Sequence, residues 1–131
     1  MNMDSHDNKK RFPFMRSFKF AIDGIITALR TERNMRFHAV SSIIVLLSSY
    51  YFSISRIEWL LILVTIGGMF ALELINSAIE RVVDLTTLEY HPLAKQAKDL
   101  AAGAVFVYAI LSVVIGIVIF LPYILGIFEN G

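Results

Sequence analysis

The chain has 131 residues, 56% of them hydrophobic and 18% charged, with a mean hydropathy of +0.66, whereas a soluble domain sits at roughly 45–50% apolar and about 25% charged. No cysteine is present, which excludes disulfides, thiolate metal sites and cysteine nucleophiles. The formal net charge is +1, yet eight of the 12 Lys and Arg lie in the first 38 residues and none follows Lys98, a layout that makes no nucleic-acid surface.

Residues 1–13 (M-N-M-D-S-H-D-N-K-K-R-F-P) are polar and aperiodic. They read as a loose cytoplasmic tail, because no apolar core with a small-residue cleavage site follows the basic cluster. Over 14–37, Phe18, Ile22, Ile25 and Leu29 form one helical stripe, while Arg16, Lys19, Asp23, Thr27 and Arg30 occupy other faces. The pattern predicts an amphipathic helix lying in the headgroup plane. An ordinary helix packed on its own protein would show the same stripe.

Three apolar blocks follow and predict helices over about 39–55, 59–85 and 93–121. The first is short for a membrane span. Tyr50, Tyr51, Phe52 and Trp59 gather around its end, as aromatic residues do at an interface. Residues 86–92 (T-T-L-E-Y-H-P) read as a loop, and Pro122 is expected to end or kink the last helix. The predicted fold class is an all-α membrane protein of one domain, with three transmembrane helices behind an N-terminal surface helix. The positive-inside tendency places the amino terminus and the 81–99 segment in the cytoplasm, and the 54–58 turn and carboxyl terminus outside.

The second span carries E-L-I-N-S-A-I-E-R-V-V-D at 73–84. At about 100° per residue, Glu73, Glu80 and Asp84 fall within roughly 40° of one another, with Asn76 about 60° to one side. The stripe climbs about 16 Å, from inside the hydrocarbon toward the cytoplasmic surface. Glu80, Arg81 and Asp84 also suit a plain solvated helix end. Glu73 follows fourteen uncharged residues, and an ionisable group at that depth points to function.

A second cluster is A-K-Q-A-K-D-L-A-A-G-A at 94–104. Lys95 and Asp99 are i, i+4 partners and make an ordinary helix ion pair, whereas Lys98 faces another way and offers a point charge to phosphate oxygens. Ala101 to Ala104, like Gly67 and Gly68, would let a neighbouring helix approach closely. The third cluster, T-E-R-N-M-R-F-H at 31–38, holds Glu32, Arg33 and Arg36, which would equally anchor lipid headgroups. His6, His38 and His91 have no metal-ligand spacing, and read as solvated or interfacial.

The chain lacks a phosphate-binding G-x-x-x-x-G-K-[ST] loop and a G-x-S-x-G elbow. What it offers is carboxylates, an amide and a few cations near one membrane face. Such donors suit magnesium with phosphate oxygens, and a carboxylate at depth suits a base toward a lipid hydroxyl. Phosphoryl transfer to a lipid alcohol fits these parts, and proton-coupled transport would use similar ones.

The segments at 73–84, 89–104 (E-Y-H-P-L-A-K-Q-A-K-D-L-A-A-G-A) and 31–36 (T-E-R-N-M-R) resemble the small prokaryotic diacylglycerol kinase family of integral membrane lipid kinases. The likeness runs from about Phe14 to Pro122. It implies a homotrimer in the bacterial plasma membrane with active sites shared between protomers on the cytoplasmic side. By position, Glu73 would be the general base and Asn76 would orient the reacting groups. Glu32 and Glu80 would hold magnesium with the ATP phosphates. Glu89, Tyr90, His91, Lys98 and Asp99 would contact the nucleotide, and Arg36 the lipid substrate beside Glu73. The T-E-R-N-M-R and E-Y-H-P-L-A-K segments look most like the Gram-positive branch, associated with undecaprenol rather than diacylglycerol as acceptor.

Overall fold

The structure, a computed structural model, describes residues 13–131; the tail expected over 1–13 lies outside it except for Pro13. Four helices occupy the described residues, with no strand among them: α1 (Pro13–Thr31), α2 (Arg33–Tyr51), α3 (Arg56–Thr86) and α4 (Pro92–Glu129). The longest packing interface is between α3 and α4, with α2 against α3 and α1 touching both α2 and α3.

The single helix expected over 14–37 is in fact two. Glu32 adopts an extended conformation, φ −99° and ψ 121°, and the chain sets off in a new direction from Arg33. The break strands the carbonyls at the end of α1, and side chains take them up. Thr31 Oγ1 donates to the Thr27 carbonyl at 2.9 Å. Arg36 Nη1 donates to the carbonyls of Leu29 at 3.3 Å and Arg30 at 2.9 Å. No Gly or Pro marks this corner. Burial of Ala28 and Met35 on its two sides, each 2% exposed, holds it in place.

The turn between α2 and α3 is built from the backbone. The N–H of Ser53 bonds to the Tyr50 carbonyl and the N–H of Ile54 to the Ser49 carbonyl, the paired bonds of a Schellman ending. Ser53 takes the left-handed conformation there, φ 50°. Ser55 then caps α3 in a capping box with Glu58. Ile54, Ile62 and Ile119 form the buried core at this end, with Phe52, Trp59, Phe120 and Tyr123 packed around it.

Pro122 does not end α4, which continues to Glu129. The proline removes one backbone donor, but the next turn is tied down from outside the helix. Tyr123 Oη donates to Glu58 Oε2 at 2.7 Å, and the Phe52 ring lies 5.7 Å from that of Tyr123 and 6.2 Å from that of Phe120. Gly68 also has a task within the chain. Tyr108 lies across it and donates to the Val64 carbonyl at 2.9 Å, in space that a Cβ would occupy.

Helices α3 and α4 are long and apolar enough to cross a membrane. Almost none of the apolar stretch of α4 is covered within the chain, and Phe106, Val107, Val113 and Val118 are all more than half exposed. So much outward-facing apolar surface on spans of this length is the mark of a membrane protein. In α2 the apolar run is shorter, sharing its helix with Arg33, Asn34, Arg36 and His38.

Candidate active site

The polar stripe of α3 is graded in burial. Glu73 is 3% exposed and Asn76 8%, Glu80 is half-buried, and Asp84 is exposed. Glu73 Oε1 lies 3.1 Å from His38 Nε2 on α2. Three residues along, Asn76 Nδ2 donates to Glu80 Oε1 at 3.2 Å. The other end of that amide, Asn76 Oδ1, is buried without a partner. Such an orphaned acceptor is rare in a folded protein and calls for an occupant.

Arg81 draws the helix break to this stripe. Its guanidinium donates to Thr31 Oγ1 at 2.8 Å and to Glu32 Oε1 at 3.0 Å. Glu32, from the corner of α1 and α2, is therefore fastened to the residue next to Glu80. The donor chemistry fits a magnesium ion: two half-buried carboxylates and an amide oxygen lacking a partner, with phosphate and water oxygens to complete the set. Among the described residues no group of three or more His, Asp or Glu side chains is gathered as a metal site, and magnesium does not require one.

The cluster around Lys98 assembles separately, at the α3–α4 turn. Lys98 Nζ donates to Asp84 Oδ1 at 2.6 Å, and Lys95 pairs with Asp99 one turn along α4. His91 caps α4, its Nδ1 accepting from the Leu93 N–H at 3.2 Å, and Pro92 follows in the first turn. Asp84, Glu89, Tyr90, His91, Lys98 and Asp99 line one open cleft of about 270 Å³. Every residue assigned to the nucleotide from α4 and its preceding loop is thus in one place, while Glu32 and Glu80 lie outside that lining. Arg36, assigned to the lipid, has its Nη1 engaged on the end of α1.

A profile of the family described as "Prokaryotic diacylglycerol kinase" matches residues 19–120. The chain belongs to this family. It is 52% identical over 121 residues to the undecaprenol kinase of Bacillus subtilis, covering 92% of this chain and 98% of that one. It is 40% identical to a diacylglycerol kinase of Synechocystis over 84% of this chain and 63% of the relative. Against the diacylglycerol kinase of Escherichia coli the identity is 30%, over 70% of this chain and 75% of that one. Membership makes the protein a membrane lipid kinase.

Two side chains bonded to the candidate site were not legible as its partners in the sequence, His38 and Arg81. A depth count would have paired the first. His38 stands 14 residues before Phe52 and Glu73 stands 18 after Ser55, so antiparallel helices folded at that turn bring the two to similar depth. For Arg81 no comparable signal exists, because its partner sits at a helix break that the local sequence does not announce.

Proposed function

We propose that this protein transfers the γ-phosphoryl group of ATP to undecaprenol, giving undecaprenyl phosphate and ADP. The observation that carries the chemistry is the burial of Glu73 on a stripe that runs outward through Asn76 and Glu80 to the Lys98–Asp84 cleft. A lipid alcohol reaches such a stripe from the hydrocarbon end and a nucleotide from the cytoplasmic end. The choice of undecaprenol over diacylglycerol is supported by the name and the near full-length match of the Bacillus subtilis relative.

In this reading Glu73 takes the proton from the lipid hydroxyl as that oxygen bonds to the γ-phosphorus and the bond to the ADP oxygen breaks. Asn76 orients the reacting groups. Glu32 and Glu80 would hold magnesium, beside the Asn76 amide that donates to Glu80. When bound, the ion neutralises charge on the phosphates. Lys98 supplies a point charge to the nucleotide, and Asp99 with residues 89–91 forms the rest of its seat. Arg36 meets the lipid headgroup with the part of its guanidinium not spent on α1.

The same reading makes α2 the third span, set within a homotrimer whose neighbours cover the exposed faces of α3 and α4 and share the sites. The amphipathic α1 lies along the cytoplasmic surface, with the amino terminus and active site on that side. A proton-coupled transporter would use Glu73 but would leave the cleft around Lys98 and Asp99 without a task. Purified protein in lipid nanodiscs, given magnesium and ATP, should release ADP only when a lipid alcohol is added, and faster with undecaprenol than with diacylglycerol. ADP release independent of any lipid alcohol would contradict the proposal, and a preference for diacylglycerol would overturn the choice of acceptor.

A further inference from the structure

We propose that His38 is the positioning residue for Glu73: it donates one hydrogen bond to the base and so dictates which carboxylate oxygen receives the proton of the substrate. The inference rests on the reading of Glu73 as the base. A carboxylate that is 3% exposed has lost nearly all contact with water, and an ionised carboxylate in that state requires a donor. Among the described residues, the one side chain bonded to it is His38, Nε2 to Oε1 at 3.1 Å. An ionised carboxylate only accepts, so the Nε2 atom must carry the hydrogen, which fixes the tautomer of a neutral ring. Edge-on packing against Phe37, with ring centroids 5.5 Å apart, restrains the imidazole.

The consequence lies in the other oxygen. With Oε1 committed to His38, the proton of the lipid hydroxyl goes to Oε2. The proton on His38 stays where it is throughout. The lipid oxygen, losing its own proton to Oε2, bonds to the γ-phosphorus as the bond from phosphorus to the ADP oxygen breaks and ADP leaves. His38 touches none of the reacting atoms. It holds the carboxylate at a set angle across the contact between α2 and α3. A misplacement of about 1 Å at a reacting group can cost about 100-fold in rate, which sets the scale of what this one bond governs.

Gln and Met separate the hydrogen bond from the space His38 fills, because the two side chains have similar length and only Gln carries an N–H. The full-length His38→Gln, His38→Met and Glu73→Gln proteins would be assayed in nanodiscs with magnesium, ATP and undecaprenol. His38→Met should lower kcat by about 10- to 100-fold with the KM for ATP changed by less than about twofold. His38→Gln should recover most of that loss, to within about fivefold of the unmodified protein. Equal kcat in the Gln and Met variants, whether both high or both low, would overturn the proposal, as would a loss expressed in KM alone. The Glu73→Gln control keeps the two readings apart. If it retains turnover the base assignment fails, and if it is inactive while His38→Met is unimpaired, only the role of His38 falls.

Discussion

Glu32 and Arg81, 49 residues apart in sequence, meet at 3.0 Å and fasten the corner between α1 and α2 to the C-terminal half of α3. The pair is half-exposed, so its own worth is under about 1 kcal/mol. Its effect is one of placement, because it holds the Glu32 carboxylate against the residue that follows Glu80 on α3.

That placement makes an expectation about magnesium. Glu32→Gln removes a proposed ligand and should raise the magnesium concentration for half-maximal activity by about tenfold or more, since the ion relies on few protein carboxylates. Arg81→Gln leaves the carboxylate in the chain but loosens its placement, so it should raise that requirement by less than Glu32→Gln does. Magnesium titrations of the two variants check this, and parallel shifts would mean that Glu32 matters only through the ion pair.

Lys98 is bound to Asp84 at 2.6 Å, so nucleotide phosphates would compete with a carboxylate for it. Lys98→Ala should raise the KM for ATP by about tenfold, the scale of one lost charge-assisted contact of about 1.4 kcal/mol. Asp84→Asn should instead leave the KM for ATP unchanged or lower it. An ATP titration at saturating lipid and magnesium distinguishes the two.

Most of the helical order and the polar stripe of α3 were legible beforehand for a physical reason. Glu73, Asn76, Glu80 and Asp84 lie on one uninterrupted helix, where spacing alone fixes relative direction. The residues 89–91, Lys98 and Asp99 are close in sequence, so a single turn gathers them. What spacing could not supply were the contacts made across helices. The corner at Glu32 depends on Met35, Ala28 and Arg81 rather than on a local breaker, and the continuation of α4 through Pro122 depends on Tyr123 reaching Glu58. Gly68 reads equally well as a seat for another chain or for Tyr108, and within this chain Tyr108 fills that space.

That assignment can be checked by a double-mutant cycle. Gly68→Ala displaces Tyr108 and breaks its bond to Val64, which should cost about 1 kcal/mol or more. In a Tyr108→Ala background the same change should cost nothing, since alanine is the better helix former by about 1 kcal/mol. Thermal unfolding in detergent measures both. An equal cost in the two backgrounds would place the constraint on Gly68 elsewhere.

At the opposite end of the bundle, Ser53 sits in the left-handed conformation that a Schellman ending favours for glycine. Ser53→Gly should raise stability by about 0.5–1 kcal/mol without affecting turnover, because it relieves backbone strain far from the site. The same unfolding assay reads it, with lipid phosphorylation as the control.

The central claim is that Glu73 acts as the base toward a lipid hydroxyl, and Glu73→Gln in a single-turnover assay with prebound ATP tests it most directly. The substitution keeps size and hydrogen bonding and removes the proton acceptor. The account predicts a fall of at least about 100-fold in the rate of undecaprenol phosphorylation, with ATP affinity unchanged. Retention of more than about a tenth of the rate, below the usual contribution of a general base, would contradict it.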